Sequence, residues 1–258
     1  MSTNDNIDGL DMSGLCLNER YSDVEFVVEE QRLPAHRNIL AERSEYFRAM
    51  LYGDLAESEE WEIRLEVPVS AFKLILGYIY TGKLPLSTLD VDVIMDVLEL
   101  AHLYGLLNVE AAIRKHLQQN LALSNVCTIL DAARRYSMDE LTEECLKFMD
   151  RNASQLLEES SFERLCKESL EEVLQRDTFA ASEVQIFQAV CNWSLFNPSA
   201  DIKAVVSNVR LPLMSVHELL HVVRPTAIFE PDQILDAIDK ADKAVNLPHR
   251  HRRGKKSN

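Results

Sequence analysis

The sequence predicts an α+β amino-terminal domain, a small sheet with helices, followed by an all-α helical domain. Segments typical of strands all lie in the first third of the 258 residues, and the second half shows helical periodicity alone. Seven glycines and eight prolines are about half of average usage, which leaves few turns for a β-sandwich or barrel. The chain is therefore expected to be dominated by helices.

The predicted sheet is assembled from three short segments. Asp23–Val28 is β-branched, and the extended run Arg32–Pro34 follows after a few residues, so we expect a hairpin. Glu62–Glu66 alternates strictly between polar and apolar residues and predicts a third strand. Residues 37–52 between them suit two short helices, with Ser44 as the candidate N-cap of the second.

From Ser70 onward the apolar residues recur with the period of a helix. Gly82 and Gly105 supply two helix ends. The first three stripes are Phe72, Ile75, Leu76, Ile79 and Tyr80, then Ile94, Val97, Leu98 and Ala101, then Val109, Ala112, Ile113, His116 and Leu117.

Shorter helices follow residue 123. Ser137 with Glu140 and Ser182 with Gln185 have the spacing of capping boxes, and Pro231 suits the first turn of a last helix. Because strands end before this point, we place a domain boundary near residue 123. The predicted divisions are a flexible amino terminus at 1–14, a first domain at 15–122, a helical domain at 123–242 and a basic disordered tail at 243–258.

Charge and cysteine content exclude several classes of protein. The net charge is −15, although the last ten residues are basic, and such an acidic body repels phosphate backbones, so we expect no nucleic-acid binding by the folded part. The sequence shows neither a membrane span nor a secretory leader. Five dispersed cysteines without a CxxC pair favour reduced thiols. We expect a cytoplasmic protein, with residues 249–256 as a candidate nuclear-import signal.

His217-Glu218-Leu219-Leu220-His221 matches the HExxH motif of zinc hydrolases. However, the positions where further zinc ligands would follow hold other residues, and Ser215 with Glu218 forms a capping box. A helix that buries Val216, Leu219, Leu220 and Val223 would turn both histidines toward solvent. Zinc hydrolysis therefore remains a remote alternative, and we expect no catalytic residue, cofactor or metal.

Several separated blocks stand in a distinctive order along the chain: Ser22-Asp23-Val24, the run from Pro34 to Met50, Tyr78-Ile79-Tyr80-Thr81-Gly82, and Leu100-Ala101-His102 with Tyr104. Together they resemble the signature of a BTB (POZ) domain. Further blocks in the second half are Phe148 to Ala153, Val190 with Trp193, and Val209 to Met214. Through them residues 123–240 resemble a BACK domain, the helical extension that often follows BTB.

This resemblance implies a non-catalytic substrate adaptor that docks on cullin-3 in a RING-type ubiquitin ligase. It also implies homodimers, or mixed dimers with other BTB proteins, and a substrate protein that the sequence does not identify. Leu55 and Glu57 occupy the family's hydrophobic-x-Glu cullin contact, Tyr104 matches its cullin-facing tyrosine, and Asp23 and Arg37 match the charged pocket near the dimer seam. The first BACK helix pair, about 125–151, is expected to widen the contact.

Leu55 is an apolar residue among acidic neighbours. A partner helix with a basic surface could bury Leu55 as an anchor and pair its charges with the acidic residues around it. Such a charge run is also typical of a solvated loop. The competing hypothesis is a BTB dimerisation module without a ligase role, acting in assembly or transcriptional regulation. Family adaptors usually carry a further substrate-binding domain, whereas this sequence stops some fifteen residues after the last predicted helix.

Overall fold

A computed structural model describes residues 12–53 and 60–243. The chain divides into two compact units, the first through His116 and the second from Leu117. The first unit contains a three-stranded sheet with helices and the second is helical, so the predicted fold class is confirmed. Within the described residues, no helix is both long enough and apolar enough to cross a membrane.

The sheet has the order β2-β1-β3, with β1 at Val24–Val28, β2 at Gln31–Ala35 and β3 at Glu62–Leu65. β1 pairs antiparallel with β2 and parallel with β3. The predicted hairpin and third strand are both confirmed. Phe26 lies opposite Leu33 and Ile63 in this register, and all three are buried, so the sheet places one face on the core of the first unit.

The hairpin turn consists of two non-glycine residues in the left-handed region, Glu29 at φ 46° and Glu30 at φ 63°. A two-residue turn of this hand matches the twist of the strands but usually contains asparagine or glycine. The Glu29 carboxylate accepts a hydrogen bond from the Val69 N–H at 3.3 Å, at the start of the next long helix. The turn therefore places an acidic group at that helix's positive end.

Five α-helices lie in the described residues up to Gln119, two of them between β2 and β3 and three after β3. They are α1 at Arg37–Arg43, α2 at Glu45–Tyr52, α3 at Val69–Thr81, α4 at Val91–Leu103 and α5 at Leu107–Gln119. The Ser44 side chain accepts a hydrogen bond from the Phe47 N–H, which confirms it as the N-cap of α2. The Phe26 ring centroid lies 5.9 Å from that of Phe47 and 5.2 Å from that of Phe72, so β1, α2 and α3 share one aromatic core.

The second unit is a series of shorter helices. Their bounds are α6 at Val126–Arg135, α7 at Asp139–Arg151, α8 at Ala153–Leu156, α9 at Lys167–Gln175, α10 at Glu183–Phe196, α11 at Ile202–Val206, α12 at Val216–Glu218 and α13 at Pro231–Lys243. A π-helical turn, Leu219–Val223, directly continues α12. Trp193 is buried in this unit, and its indole N–H donates to the Leu165 carbonyl at 2.8 Å.

The predicted capping boxes have different outcomes. Ser182–Gln185 and Ser215–Glu218 both form. The box predicted at Ser137 is wrong, because Met138 is the N-cap of α7 and Ser137 adopts a φ of 53°. The Met138 N–H donates to the Ala133 carbonyl at 2.7 Å, which is the closing bond of a Schellman motif. Ser137 therefore ends α6 instead of beginning α7.

A buried ionic cluster fixes the connection between α9 and α10. The guanidinium of Arg176 donates to the Asp150 carboxylate, with the shortest N–O distance at 2.7 Å, and the Thr178 hydroxyl donates to the same carboxylate at 2.6 Å. Asp150 is almost fully buried, at 9% exposure. Its charge is matched by one cation and a hydroxyl, so the cluster ties α7 to the segment that leads into α10.

Candidate interaction surface

The predicted anchor residues Leu55 and Glu57 lie outside the described residues, which stop at Gly53 and resume at Glu60. The structure describes the two places where this segment joins the fold. α2 ends at Tyr52, and β3 begins at Glu62. The geometry of these two ends can therefore be analysed, and the roles of Leu55 and Glu57 stay predictions.

Arg37 contacts both ends of the segment 54–59. One guanidinium nitrogen donates to the Leu51 carbonyl at 2.9 Å, and the other terminal nitrogen donates to the Glu60 carbonyl. Leu51 lies in the last turn of α2, where carbonyls have no partner within the helix. A planar guanidinium can satisfy two acceptors at once. Arg37 therefore links the end of α2 to the residue that leads into β3.

Asp23 holds the same arginine from the other side. Its carboxylate accepts the Arg37 backbone N–H at 2.7 Å, and its carbonyl accepts the Arg37 Nε–H at 3.1 Å. His36, the N-cap residue of α1, makes no side-chain cap bond, so Asp23 satisfies the first N–H of α1. The structure thus brings together the predicted pair Asp23 and Arg37, while their place at a dimer seam stays a prediction.

Two large aromatic side chains flank this arrangement. Tyr52 and Trp61 are each 57% exposed. Tyr52 directly follows Leu51 and Trp61 directly follows Glu60, the two residues whose carbonyls accept hydrogen bonds from Arg37. Exposed tryptophan and tyrosine are the residue types that most often dominate binding at protein interfaces. The sequence reasoning missed both residues, although an aromatic residue at the end of an acidic run was a visible signal.

Tyr104 is buried, with only 1% of its surface exposed. Its ring centroid lies 4.8 Å from that of Phe47 and 5.0 Å from that of Tyr46, and its carbonyl accepts the Ser44 hydroxyl at 2.9 Å. Burial raises the pKa of the Tyr104 phenol, so the group is neutral at physiological pH. Tyr104 therefore positions the start of α2, and its predicted contact with a partner would be indirect in this conformation.

Leu103, directly before Tyr104, and Leu107, three residues after it, are exposed leucines that the sequence reasoning also missed. Leu103 is the last residue of α4 and Leu107 the first residue of α5, and Leu107 is 73% exposed. Exposed large apolar residues close together in the chain suggest a contact surface. The corner between α4 and α5 is therefore a second apolar feature of the first unit.

The HExxH motif does not have the geometry of a zinc site. Both histidines are exposed, with ring centroids 4.4 Å apart, but the Glu218 carboxylate accepts the Ser215 N–H at 2.7 Å in the capping box. Among the described residues, no three potential ligands come together. The prediction that Val216 faces the core is wrong, because its side chain is exposed. The π-helical turn that follows α12 changes the phase of the apolar stripe.

All five cysteines lie in the described residues and are free thiols. Cys127 and Cys145 are buried, and burial raises the pKa of each to about 12. Cys166 is exposed, and its sulfur accepts the Ser169 N–H at the start of α9. The buried thiols are therefore packing groups and lack the thiolate character of a nucleophile.

Comparison with known proteins identifies the two units. The model of the BTB/POZ domain family matches residues 12–121, and that of the family described as BTB And C-terminal Kelch, or BACK, matches residues 126–224. The chain belongs to the BTB–BACK family. Asp23, Arg37, Tyr52, Trp61 and the α4–α5 corner all lie in the BTB match.

Two curated relatives agree with this assignment. The BTB–BACK chain is 61% identical to BTB/POZ domain-containing protein 9 of Drosophila melanogaster, over 93% of this chain and 33% of that protein. It is 44% identical to the human protein of the same name, over 93% of this chain and 40% of that one. A solved structure of the BTB domain of human gigaxonin is 28% identical and covers 45% of this chain and 95% of its own, with a TM-score of 0.37.

The BTB–BACK chain spans between a third and two fifths of the length of the curated relatives it matches. BTB domains mediate self-association and protein interactions, and BTB–BACK proteins are generally non-catalytic interaction modules.

Proposed function

We propose that this chain is a non-catalytic substrate adaptor or scaffold of a cullin-3 RING ubiquitin ligase. In this proposal it forms homodimers through BTB and binds cullin-3 through BTB and the first BACK helices. The observation that carries the proposal is the link made by Arg37 between Leu51 and Glu60. It fixes both ends of the segment that contains Leu55 and Glu57.

Fixed ends favour binding because a partner then has less chain to order. Immobilising flexible groups opposes association by about 0.5–1.5 kcal/mol for each mobile side chain. The proposed contact has Leu55 as its apolar anchor, with Tyr52 and Trp61 exposed at the flanks. Its acidic surroundings would steer a partner with a basic surface toward it.

The first BACK helices offer a surface of the same charge. Asp139, Glu140, Glu143 and Glu144 of α7 line an open groove of about 640 Å³ together with Gln118 and Lys147. A basic partner surface would suit both this groove and the acidic segment of the BTB domain. This charge supports the expected contribution of residues 125–151 to cullin-3 binding.

An adaptor of this kind needs no nucleophile. It would raise the local concentration of a bound substrate near the enzyme that transfers ubiquitin, and a homodimer would present two such sites. The substrate-binding part is not assigned, since the chain matches only a portion of its relatives. We place this activity in the cytoplasm.

The direct test is calorimetric binding of the purified chain to the amino-terminal region of cullin-3. We expect binding by the wild type and a loss of at least about tenfold in affinity for Leu55→Asp with Glu57→Lys, the scale of an interface hot spot. The matched control is Leu195→Asp with Glu158→Lys, which repeats both charge changes at exposed BACK positions. Unchanged affinity in the first variant would reject the assigned contact.

A second candidate is a BTB dimerisation module that acts in assembly or transcriptional regulation without a ligase. The five Lys and Arg residues in 249–256 favour it, because such a run can direct nuclear import. This candidate predicts dimers with no measurable affinity for cullin-3. It also predicts nuclear accumulation that is lost when residues 249–256 are deleted.

A further inference from the structure

An apolar cavity of about 430 Å³ lies beside the first half of α13 in the second unit. Cavities of this size are large enough for bulky apolar groups. Its walls include four apolar side chains and two charged ones, namely Leu220, Phe229, Ile234, Leu235, Arg224 and Glu230. Leu235 is 61% exposed although it lines the cavity, so the opening is bordered by apolar surface that no described residue covers.

The backbone around the cavity is unusual in two places. Leu220 belongs to the π-helical turn Leu219–Val223, and Ala227 has a φ of 53°. Single π-turns are rare and are frequently found at functional sites. A non-glycine residue in the left-handed region is also uncommon and opposes folding. Both features shape the wall of the same cavity, which indicates that this wall has a use beyond packing.

The exposed face of α13 is acidic around Leu235. Asp232, Leu235, Asp236 and Asp239 follow one another at positions i, i+3, i+4 and i+7, so they form a single stripe along the helix. All three aspartates are exposed. The opposing charges near this face are Arg224 at the cavity, Lys240, and Lys203, whose ammonium lies 4.0 Å from the Glu230 carboxylate. Carboxylates therefore outnumber cations on this face.

We propose that the chain's own carboxy-terminal segment, residues 244–258, docks on this face. Leu247 would enter the cavity beside Leu235, and Arg250 with the basic residues after it would lie toward Glu230 and Asp232. The segment suits the face because it contains five Lys and Arg residues, no acidic residue and a bulky apolar group near its start. This inference is independent of cullin-3 binding.

The covalent connection makes the contact feasible. Leu247 comes four residues after Lys243, where α13 ends, and four extended residues reach about 14 Å. Leu235 lies eight residues back along the helix, about 12 Å at 1.5 Å per residue. A short tether gives an effective concentration in the millimolar range, so a weak contact suffices.

The test follows trypsin cleavage of the tail in the intact chain at low salt, together with amide hydrogen exchange in residues 219–241. We compare wild type with Leu235→Asp and with Leu247→Asp. The matched control is Leu195→Asp, since Leu195 on α10 is also an exposed leucine, at 78%. Circular dichroism verifies that each variant is folded. Because proteolysis reports the population of the undocked state, we expect cleavage about fivefold faster in both test variants, and a wild-type rate in the control.

Three results would overturn the inference. The first is equal tail cleavage in wild type and Leu235→Asp. The second is protection that disappears on dilution, which would assign the docked tail to another copy of the chain. The third is protection that depends on salt but not on Leu247, which would mean that charge alone holds the segment and that the cavity is not its site.

Discussion

Arg37 and Asp23 are joined through main-chain and side-chain atoms at once. Asp23 accepts the Arg37 backbone N–H with its carboxylate and the Nε–H with its carbonyl. This fixes the direction of the guanidinium, whose terminal nitrogens then reach Leu51 and Glu60. The pair thus connects the residue before β1, the start of α1, the end of α2 and Glu60, which lies two residues before β3. It defines the base of the proposed cullin-3 contact.

The Arg37→Lys variant should show whether the geometry of the guanidinium, and not its positive charge alone, stabilises the fold. A lysine keeps the positive charge but presents one compact ammonium group, which cannot satisfy two separated carbonyls in the fixed geometry of a guanidinium. We expect a loss of about 1–3 kcal/mol in the free energy of unfolding, the scale of hydrogen bonds to charged groups. Urea denaturation measures this loss. Arg43→Lys, at an exposed position of α1, is the control and should change stability little.

The same Arg37→Lys variant should also expose the acidic segment to proteolysis. A Glu-specific protease has sites at Glu57, Glu59 and Glu60. If Arg37 restrains the two ends, cleavage at these sites should be faster in Arg37→Lys than in Arg43→Lys. The two variants are compared at urea concentrations equally far below their unfolding midpoints. Identical cleavage would show that the guanidinium does not restrain the segment.

Replacing Tyr104 tests whether this residue only positions the start of α2 or also contacts cullin-3 directly. The Tyr104 hydroxyl is buried and has no hydrogen-bond partner among the described residues, so Tyr104→Phe should be neutral or slightly stabilising. Tyr104→Ala should lower the free energy of unfolding by about 3–5 kcal/mol, because it leaves a cavity beside Phe47 and Tyr46. Thermal denaturation compares the two. Weaker cullin-3 binding by Tyr104→Phe at unchanged stability would instead indicate a contact through the hydroxyl.

The Asp150–Arg176 cluster should show strong energetic coupling. Arg176→Leu leaves a buried carboxylate with the Thr178 hydroxyl as its remaining donor, and we expect a loss of about 3 kcal/mol in the free energy of unfolding. The double variant Asp150→Leu with Arg176→Leu should recover much of that loss, since it removes both charges. A double-mutant cycle by urea denaturation measures the coupling. Additive losses would contradict the pairing.

Cysteine reactivity should follow burial. With a pKa of about 12, the thiols of Cys127 and Cys145 carry about one thiolate in ten thousand at pH 8. A disulfide reagent should therefore modify exposed Cys166 first and leave these two unreacted in the folded chain. Raising the pH increases the thiolate fraction and hence the rate. Rapid reaction of all five thiols in the native protein would contradict the described burial.

The sequence predicted the elements that depend on local chemistry. The hairpin, the third strand and the caps at Ser44, Ser182 and Ser215 follow from patterns within a few residues. Ser137 was misassigned because two structures compete for it, and closing α6 takes the residue that would have capped α7. The exposure of Val216 escaped prediction because a π-turn changes the helical period without a sequence signal.

The candidate surface was predictable only in part. Asp23 and Arg37 were identified through resemblance, yet their link to Leu51 and Glu60 depends on contacts between residues that are distant in sequence. Burial of Tyr104 likewise depends on α2 packing against the end of α4. Tyr52 and Trp61 are exposed because of where α2 ends and β3 begins, which composition does not reveal.

The left-handed turn at Glu29 and Glu30 makes the hairpin intolerant of insertions. Two residues of positive φ fit between paired Val28 and Gln31, and one extra residue would break that fit. A shift of the pairing by one position would turn the opposite set of β2 side chains toward the core, replacing Leu33 and Ala35 with Arg32 and Pro34. Natural length variation in this unit should therefore accumulate elsewhere and spare this turn.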